Sequence, residues 1–333
     1  MKNKKIIIAG GTGSIGQALA AAGERTTRSS SSAASPPTAT ITTTDKSCSL
    51  RRTATISPTG AGTGARWRNT GRGNWKAPIW SSILRGAASA AATLPVTGAR
   101  SSRAEWMRQR RWAGAIREAV VPPRVWVNAA SATIYRHAQD RPQDEDTGEY
   151  HDDFSVQVCK RWEASFAEQR TPFTRKIALR LAITLVEGGV IVPYLRLIKL
   201  GLGGRQGSGR QMYSWVHIDD VRRALEWFLD HTDLEGTYNL SSPGPVTNSY
   251  FMSTLRRLAG VRLGLPTPAW LLKLGAVLVG TETELVLKSR WVLPSRLLAT
   301  GFDFQYPRID GALRSIIRLQ RRNGRKMKIK DVF

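Results

Sequence analysis

The sequence predicts an α/β protein: a doubly wound, mostly parallel sheet to about residue 265, followed by a small helical C-terminal domain. Three observations carry that expectation. Lys5-Ile6-Ile7-Ile8-Ala9 is a short apolar run that breaks into a glycine-rich turn and resumes as the helix-forming Gln17-Ala18-Leu19-Ala20. Later strand-like runs at 124–128 and 177–181 are followed by helix-period segments at 221–231 and 249–258, and such an order builds parallel βαβ units. The length of 333 residues suffices for one large core or two modest ones.

The first element sets the ligand class. Gly10, Gly13 and Gly16 give the spacing GxxGxxG directly after the N-terminal strand. Gly10 permits the tight turn, Gly13 lets a pyrophosphate approach the backbone, and Gly16 lets helix and strand pack closely. Thr12, Ser14 and Ile15 complete the turn, and the helix that follows offers free N–H groups to phosphates. A Rossmann-like domain holding NADP or NAD is expected.

The next segment loses this grammar. Residues 25–112 hold 15 Lys/Arg against two acids, with 13 Ser and 14 Thr but only eight Val, Ile, Leu or Phe. No helical or strand period survives there, so this stretch is expected to be irregular or poorly ordered. An Arg/Trp-rich nucleic-acid arm with Trp67, Trp75, Trp80, Trp106 and Trp112 as stacking platforms is one explanation. The genetic code favours another. Reading Ile79 to Gly86 from one base earlier permits Asp-Met-Val-Val-Asn-Leu-Ala-Gly, a buried strand ending in a turn. The same displacement turns Arg28-Ser29-Ser30-Ser31-Ser32 into a strand and Trp106 to Trp112 into a helix. One displacement in one direction rescues three separate segments. Compensating frame shifts near 23–27 and 112–116 follow as the expectation, and the +25 net charge then implies neither a nucleic-acid nor a membrane partner.

Beyond the window the text is patterned again. Val125-Trp126-Val127-Asn128-Ala129-Ala130-Ser131-Ala132-Thr133-Ile134-Tyr135 is a strand ending in Ser-Ala-Thr-Ile-Tyr. Ser214-Trp215-Val216-His217-Ile218-Asp219-Asp220-Val221 is a strand-to-helix step, and Leu200 to Gln211 is a Gly-rich loop carrying Arg205 and Arg210. With Asp153 to Glu163, these runs resemble the epimerase-like branch of the extended short-chain dehydrogenases/reductases, the nucleoside-diphosphate-sugar epimerase group with a small C-terminal domain of unknown function. Pro266-Thr267-Pro268-Ala269-Trp270, Leu293 to Leu298 and Gly301 to Pro307 resemble that C-terminal domain. The resemblance covers residues 1–22 and about 114–318. It implies domains at 1–265 and 266–318, and an NAD(P)-dependent epimerase, dehydratase or reductase acting on a nucleotide-sugar or similar polar small molecule; the Lys/Arg-rich residues 319–333 beyond it read as a frayed basic tail. It also places Ser131 at the reacting carbinol, with Tyr135 as a further catalytic candidate. A dinucleotide-binding regulatory protein without turnover, or a chain left inactive by the frame shift, is the alternative.

One departure bears on mechanism. The superfamily uses Tyr-x-x-x-Lys, in which Lys lowers the Tyr pKa so that the phenol serves as general acid and base. Here Tyr135 is followed four residues on by Gln139 and Tyr150 by Phe154, while spacing back from Glu163 puts Ser155 and Cys159 where the pair would sit. Arg205 and Arg210 are expected to hold a substrate phosphate. No metal site is expected: His217 with Asp219 and Asp220 reads as a strand-end histidine and a helix cap, and His137, His151 and His231 lack ligand spacing. Cys48 and Cys159 cannot build a disulfide framework. The N-terminus lacks a signal-peptide pattern, and the apolar run from Trp270 to Val279 is short and holds Lys273. A cytoplasmic location is the expectation, and oligomeric state is open.

Overall fold

A computed structural model of the chain describes residues 5–9, 15–16, 18–19, 40–44, 51–55, 68–69, 79–83, 106–107, 109–270, 272 and 287–322, the strands before residue 84 by their backbone. Eight strands form one sheet: β1 (Lys5–Ala9), β2 (Thr40–Thr44), β3 (Arg51–Thr55), β4 (Arg68–Asn69), β5 (Ile79–Ile83), β6 (Val125–Ser131), β7 (Arg175–Leu181) and β11 (Gly236–Leu240). Short strands β8 (Ile183–Leu185), β9 (Met212–Tyr213), β10 (Trp215–His217) and β12 (Val246–Thr247) make two small two-stranded sheets beside it.

The sheet order is β11-β7-β6-β5-β1-β2-β3-β4. From β11 to β2 every neighbouring pair is parallel, and the chain leaves β1 toward one side and returns on the other at β5. That reversal is the topological switch point of a doubly wound sheet, where ligands bind beyond the carboxyl ends of the strands. The expected Rossmann-like fold is therefore present.

The anomalous window corrects part of the expectation. Four strands fall within residues 25–112, where none was expected in the frame as written. The low apolar content of the window was the reason to deny them, yet strand pairing is a backbone property. Thr40-Ile41-Thr42-Thr43-Thr44 is β-branched throughout, and such residues suit a pleated surface. The edge departs from a parallel sheet, because β3 pairs antiparallel with β2 and β4 antiparallel with β3. Of the segments rescued by the displaced frame, Ile79–Ile83 lies between β1 and β6. Residues 106–107 and 109–117 are helical. The segment 28–32 lies outside the described residues.

Strand β6 is buried along its whole length, as befits a central parallel strand. One face of the sheet, with Val125, Val127, Ile177 and Leu179, meets the large core. The other, with Trp126 and Ala178, meets Phe166 of helix α1 (Phe154–Ala167) and Ala113 and Ile116 of the helical residues 109–117. The remaining helices are α2 (Ile191–Lys199), α3 (Ile218–Asp230), α4 (Asn248–Ala259), α5 (Ser295–Ala299) and α6 (Ile309–Arg322). Helix α4 stops at Gly260, whose φ of 82° lets its N–H reach back to Arg256 and Arg257 carbonyls.

The described C-terminal residues pack into the core of the sheet. Leu297, Phe302, Phe304, Ile309, Leu313 and Ile316 join the same cluster as the sheet. Asp220, fully buried, accepts the backbone N–H groups of Gln305 at 2.7 Å and Tyr306 at 3.0 Å. Helix α6 extends to Arg322, into the segment expected as a frayed basic tail. Among the described residues, no helix is long and apolar enough to cross a membrane.

Candidate functional site

The site begins at the glycine-rich turn. Residues 15–16 and 18–19 are helical directly after β1, Gly16 and Leu19 are buried, and Ile15 and Ala18 pack on the large core. A buried Gly16 fits its expected part in close helix–strand packing. Gly10, Thr12, Gly13 and Ser14 lie outside the described residues.

Ser131 closes β6 at the same carboxyl edge and is buried. Its hydroxyl caps the one-turn helix Ala132–Ile134: Oγ accepts the N–H of Thr133 at 3.2 Å and donates to Thr133 Oγ1 at 2.9 Å. It lies near the thiol of Cys159 on α1 and helps draw that thiol's pKa down. The serine at the strand end and the residue in the place of the superfamily lysine are thus brought together. Burial, reinforced by Glu163, pushes the Cys159 thiol up to about 12, against the opposing pull of Arg290, Ser131 and Lys288. It is a neutral, packed thiol near pH 7.

Tyr135 is placed differently from the expectation of an open acid/base. Its side chain is fully buried, its hydroxyl donates to Asn239 Oδ1 at 2.9 Å and accepts from Arg180 Nη1 at 2.7 Å. Burial raises its pKa far above the ordinary tyrosine value even though Arg180 and Asn239 pull it down. A phenol so enclosed is a poor proton donor at neutral pH.

Arg180 organises this corner. Its Nε and Nη2 grip the two carboxylate oxygens of Glu163, each at 2.8 Å, and Nη2 also donates to the Tyr150 hydroxyl at 3.1 Å. Sequence reasoning passed over Arg180, although a charge inside Ile177-Ala178-Leu179-Arg180-Leu181 was the available signal, since such a charge is buried only when paired.

The chain 288–293 runs as a strap across this edge. The Ser289 carbonyl accepts from Ala138 N at 3.2 Å, Ser289 Oγ accepts from Met212 N at 2.8 Å, and Arg290 N donates to the Met212 carbonyl at 2.9 Å. Farther along, Gln143 N donates to the Trp291 carbonyl, Leu293 N donates to the Gln143 carbonyl, and Asn239 Nδ2 donates to the Leu293 carbonyl. Val292 packs with Tyr135, Val156 and Cys159. Lys288 is ion-paired with Asp153, which holds that carboxyl below the ordinary aspartate value. The strap joins the segment after Ser131 to the loop that ends at Met212.

That loop carries Arg205 and Arg210, both exposed. Its backbone is fixed: Gly204 and Gly207 donate to Leu265 and Thr267, Thr267 donates to Arg205, and Gln206 exchanges bonds with Asn248. Gly209 adopts a φ of 71° and lies so close to Arg205 Cβ that an added side chain would collide. Neither guanidinium is engaged by a described carboxylate, so a stiff loop presents two solvated cations.

His217 corrects the expected cap. The cap of α3 is the histidine itself, whose Nδ1 accepts the N–H of Asp219 at 3.1 Å, while Asp219 and Asp220 fall in the first turn. That bond puts the proton on Nε2, which is buried without a described partner, and the ring stacks on Tyr306 at 3.8 Å. Burial depresses its pKa to about 4, against the pull of Asp219. The folded value lies below the unfolded value of about 6.5, so its stability contribution is present above pH 6.5 and is lost as pH falls toward 4. Between pH 7 and pH 5 that loss is about 2 kcal/mol. Urea unfolding across this range is expected to show it, and His217→Asn, which keeps a capping oxygen but cannot titrate, should flatten the profile. An unchanged slope in the variant would remove His217 as its source.

Comparison with known proteins agrees with this architecture. Residues 267–316 match the family model described as a domain of unknown function (DUF1731). The chain is 32% identical to the human epimerase family protein SDR39U1 over 206 residues, which are 62% of this chain and 69% of the human protein. The crystal structure of human SDR39U1 with NADPH superposes with a TM-score of 0.72 at 24% identity, covering 94% of this chain and 99% of that one. UDP-N-acetylglucosamine 4-epimerase from Bacillus cereus superposes at 0.65 and 15% identity, covering 96% and 99%. With that identity over more than two thirds of the human protein, this chain belongs to the SDR39U1-like epimerase family, an epimerase-like branch of the extended short-chain dehydrogenases/reductases.

Proposed function

We propose that the protein binds NADP or NAD and acts as an epimerase- or reductase-like protein on a nucleotide-linked sugar or a similar polar small molecule. The observation that carries this reading is Ser131 at the carboxyl end of β6 in a doubly wound sheet whose β1 is followed by the helical residues 15–16 and 18–19. The buried Gly16 and the helix that follows the turn suit a dinucleotide. NADPH is present in the human relative's structure and NAD with UDP-glucose in that of another structural neighbour, MoeE5. A bound nicotinamide supplies a hydride acceptor or donor. Ser131 holds the reacting oxygen, the buried sheet edge excludes water, and Arg205 and Arg210 hold the phosphates of the substrate.

The second reading, a dinucleotide-binding protein without turnover, has its own support. The Ser131 O–H is turned to Thr133 and must rotate to meet a ligand, and Ser155 and Cys159 replace the acid/base pair.

Two measurements test the proposal. NADPH and NADH fluorescence titrations should show weak binding that Gly13→Val abolishes, because a branched side chain fills the pyrophosphate approach; binding indifferent to the substitution would reject the turn as the site. In a chain whose 25–112 window is restored, Ser131→Ala should lower turnover of a nucleotide-sugar by about 10²-fold with cofactor affinity nearly intact. Unchanged turnover would remove Ser131 from the reaction, and no turnover in the parent would favour the second reading.

A further inference from the structure

Tyr150 was notable in the sequence only as a tyrosine without a lysine four residues on, and the reading above gives it no task. In the fold it shares a guanidinium with Tyr135. Arg180 has five N–H donors and no acceptor, so each tyrosine oxygen it touches must accept: Tyr135 at 2.7 Å and Tyr150 at 3.1 Å. The two phenols then differ in where their own protons go. The Tyr135 proton is taken by Asn239 Oδ1 at 2.9 Å, in a closed network. The Tyr150 proton has no acceptor among the described residues, and the residue is 43% exposed.

We infer that Tyr150 is a hydrogen-bond donor for a hydroxyl or carbonyl oxygen of the ligand, held in place and aimed outward by Arg180. This rests on the nucleotide-linked substrate reading and names the sugar as the part of the ligand that Tyr150 meets. Position supports it. Arg180 is in register with Ala130, the residue before Ser131, and with Asn239, so the Tyr150 hydroxyl sits at the carboxyl edge of three parallel strands. Stiffness supports it as well. The Tyr150 ring stacks on Tyr135 at 5.8 Å, Glu163 locks Arg180 from the other side, and Tyr135 and Tyr150 are joined by a backbone bridge. A hydroxyl whose lone pair is occupied by a cation is a stronger donor than a free phenol. A phenol beside a fixed cation is also what Tyr-x-x-x-Lys provides, assembled here from a loop residue and a strand residue.

The test uses the full chain and calorimetric titration with UDP-glucose and with UDP. Every group involved, Tyr150, Arg180, Arg205 and Arg210, lies outside the anomalous window. UDP-glucose should bind more tightly than UDP, and Tyr150→Phe should weaken UDP-glucose by about tenfold while leaving UDP unchanged. Phenylalanine keeps the ring stack, and an unchanged melting temperature checks the fold. As a measurement independent of that variant, 3-fluorotyrosine at position 150 should show a 19F shift with UDP-glucose and none with UDP. Equal affinities for the two nucleotides, or a Tyr150→Phe chain that binds UDP-glucose as the parent does, would overturn the inference and leave the phosphate reading of Arg205 and Arg210 standing. Binding of neither nucleotide would overturn both.

Discussion

Restoring the displaced frame across residues 25–112 is expected to tighten NADPH binding by about 10³-fold. The glycine turn cradles only the pyrophosphate. The adenosine ribose is held in doubly wound dinucleotide domains by a residue near the end of the second strand, acidic for NAD and basic for NADP. In this chain that part of the text is the Ser- and Thr-rich window: the second strand of the chain as written is β2 at Thr40–Thr44, whereas the displaced reading gives a strand at 28–32 followed by small or basic residues. Two charge-assisted hydrogen bonds regained there are worth about 4 kcal/mol together, which is roughly a thousandfold in affinity. The structure adds a reason from the sheet. β5 is flanked on both sides by parallel strands, with Ser81 opposite Trp126 and Ser82 opposite Val127. A strand in that position normally carries a continuous apolar run, which the displaced reading Val-Val supplies at those two positions. Fluorescence titration of both chains with NADPH and NADH decides the matter, alongside sequencing of codons 20–120. Equal affinities, or codons that give no strand-like text in the displaced frame, would end the frame-shift account.

The parts of the fold legible in the sequence were those in which local pattern and tertiary role coincide. β1 and its glycine turn, the apolar β7 and the amphipathic α3 and α4 each state their environment in their own residues. Helix α3 was read at 221–231 and runs Ile218–Asp230 because the cap is His217, and a histidine cap is outside the usual Ser, Thr, Asp and Asn signal. The strand at 40–44 was missed, and the one at 79–83 was read only in the displaced frame, for the opposite reason. Their sequence lacks the apolar period, and their place comes from pairing with β1, a long-range contact that no window of sequence contains. At the site, Ser131 was legible from its strand-end text, and the absence of a Tyr-x-x-x-Lys pair from spacing alone. The strap 288–293 was not legible, because it depends on bonds to residues 137–143, 212–214 and 239, far away in the chain. For the same reason Tyr135 was read as open chemistry, when Arg180 and Asn239 enclose it.

Breaking the Arg180–Glu163 pair should be the most damaging single change in this corner. Both oxygens of Glu163 are used by Arg180, whose side chain is 7% exposed, and the same guanidinium donates to Tyr135 and Tyr150. Glu163→Leu leaves a buried cation without its carboxylate, and losses of that kind cost about 3–5 kcal/mol. Arg180→Met leaves the carboxylate buried instead and strips the donors from two phenols, with a cost in the same range. The double variant removes both charges, so much of the penalty should return, leaving mainly the two unmatched tyrosine oxygens at about 1–3 kcal/mol each or less where Tyr150 meets water. Denaturant unfolding of the parent, both single variants and the double variant measures this cycle directly. A Glu163→Leu chain within about 1 kcal/mol of the parent would mean that the pair does not hold α1 to the sheet. A double variant worse than either single one would mean that Arg180 matters through its tyrosines rather than through Glu163.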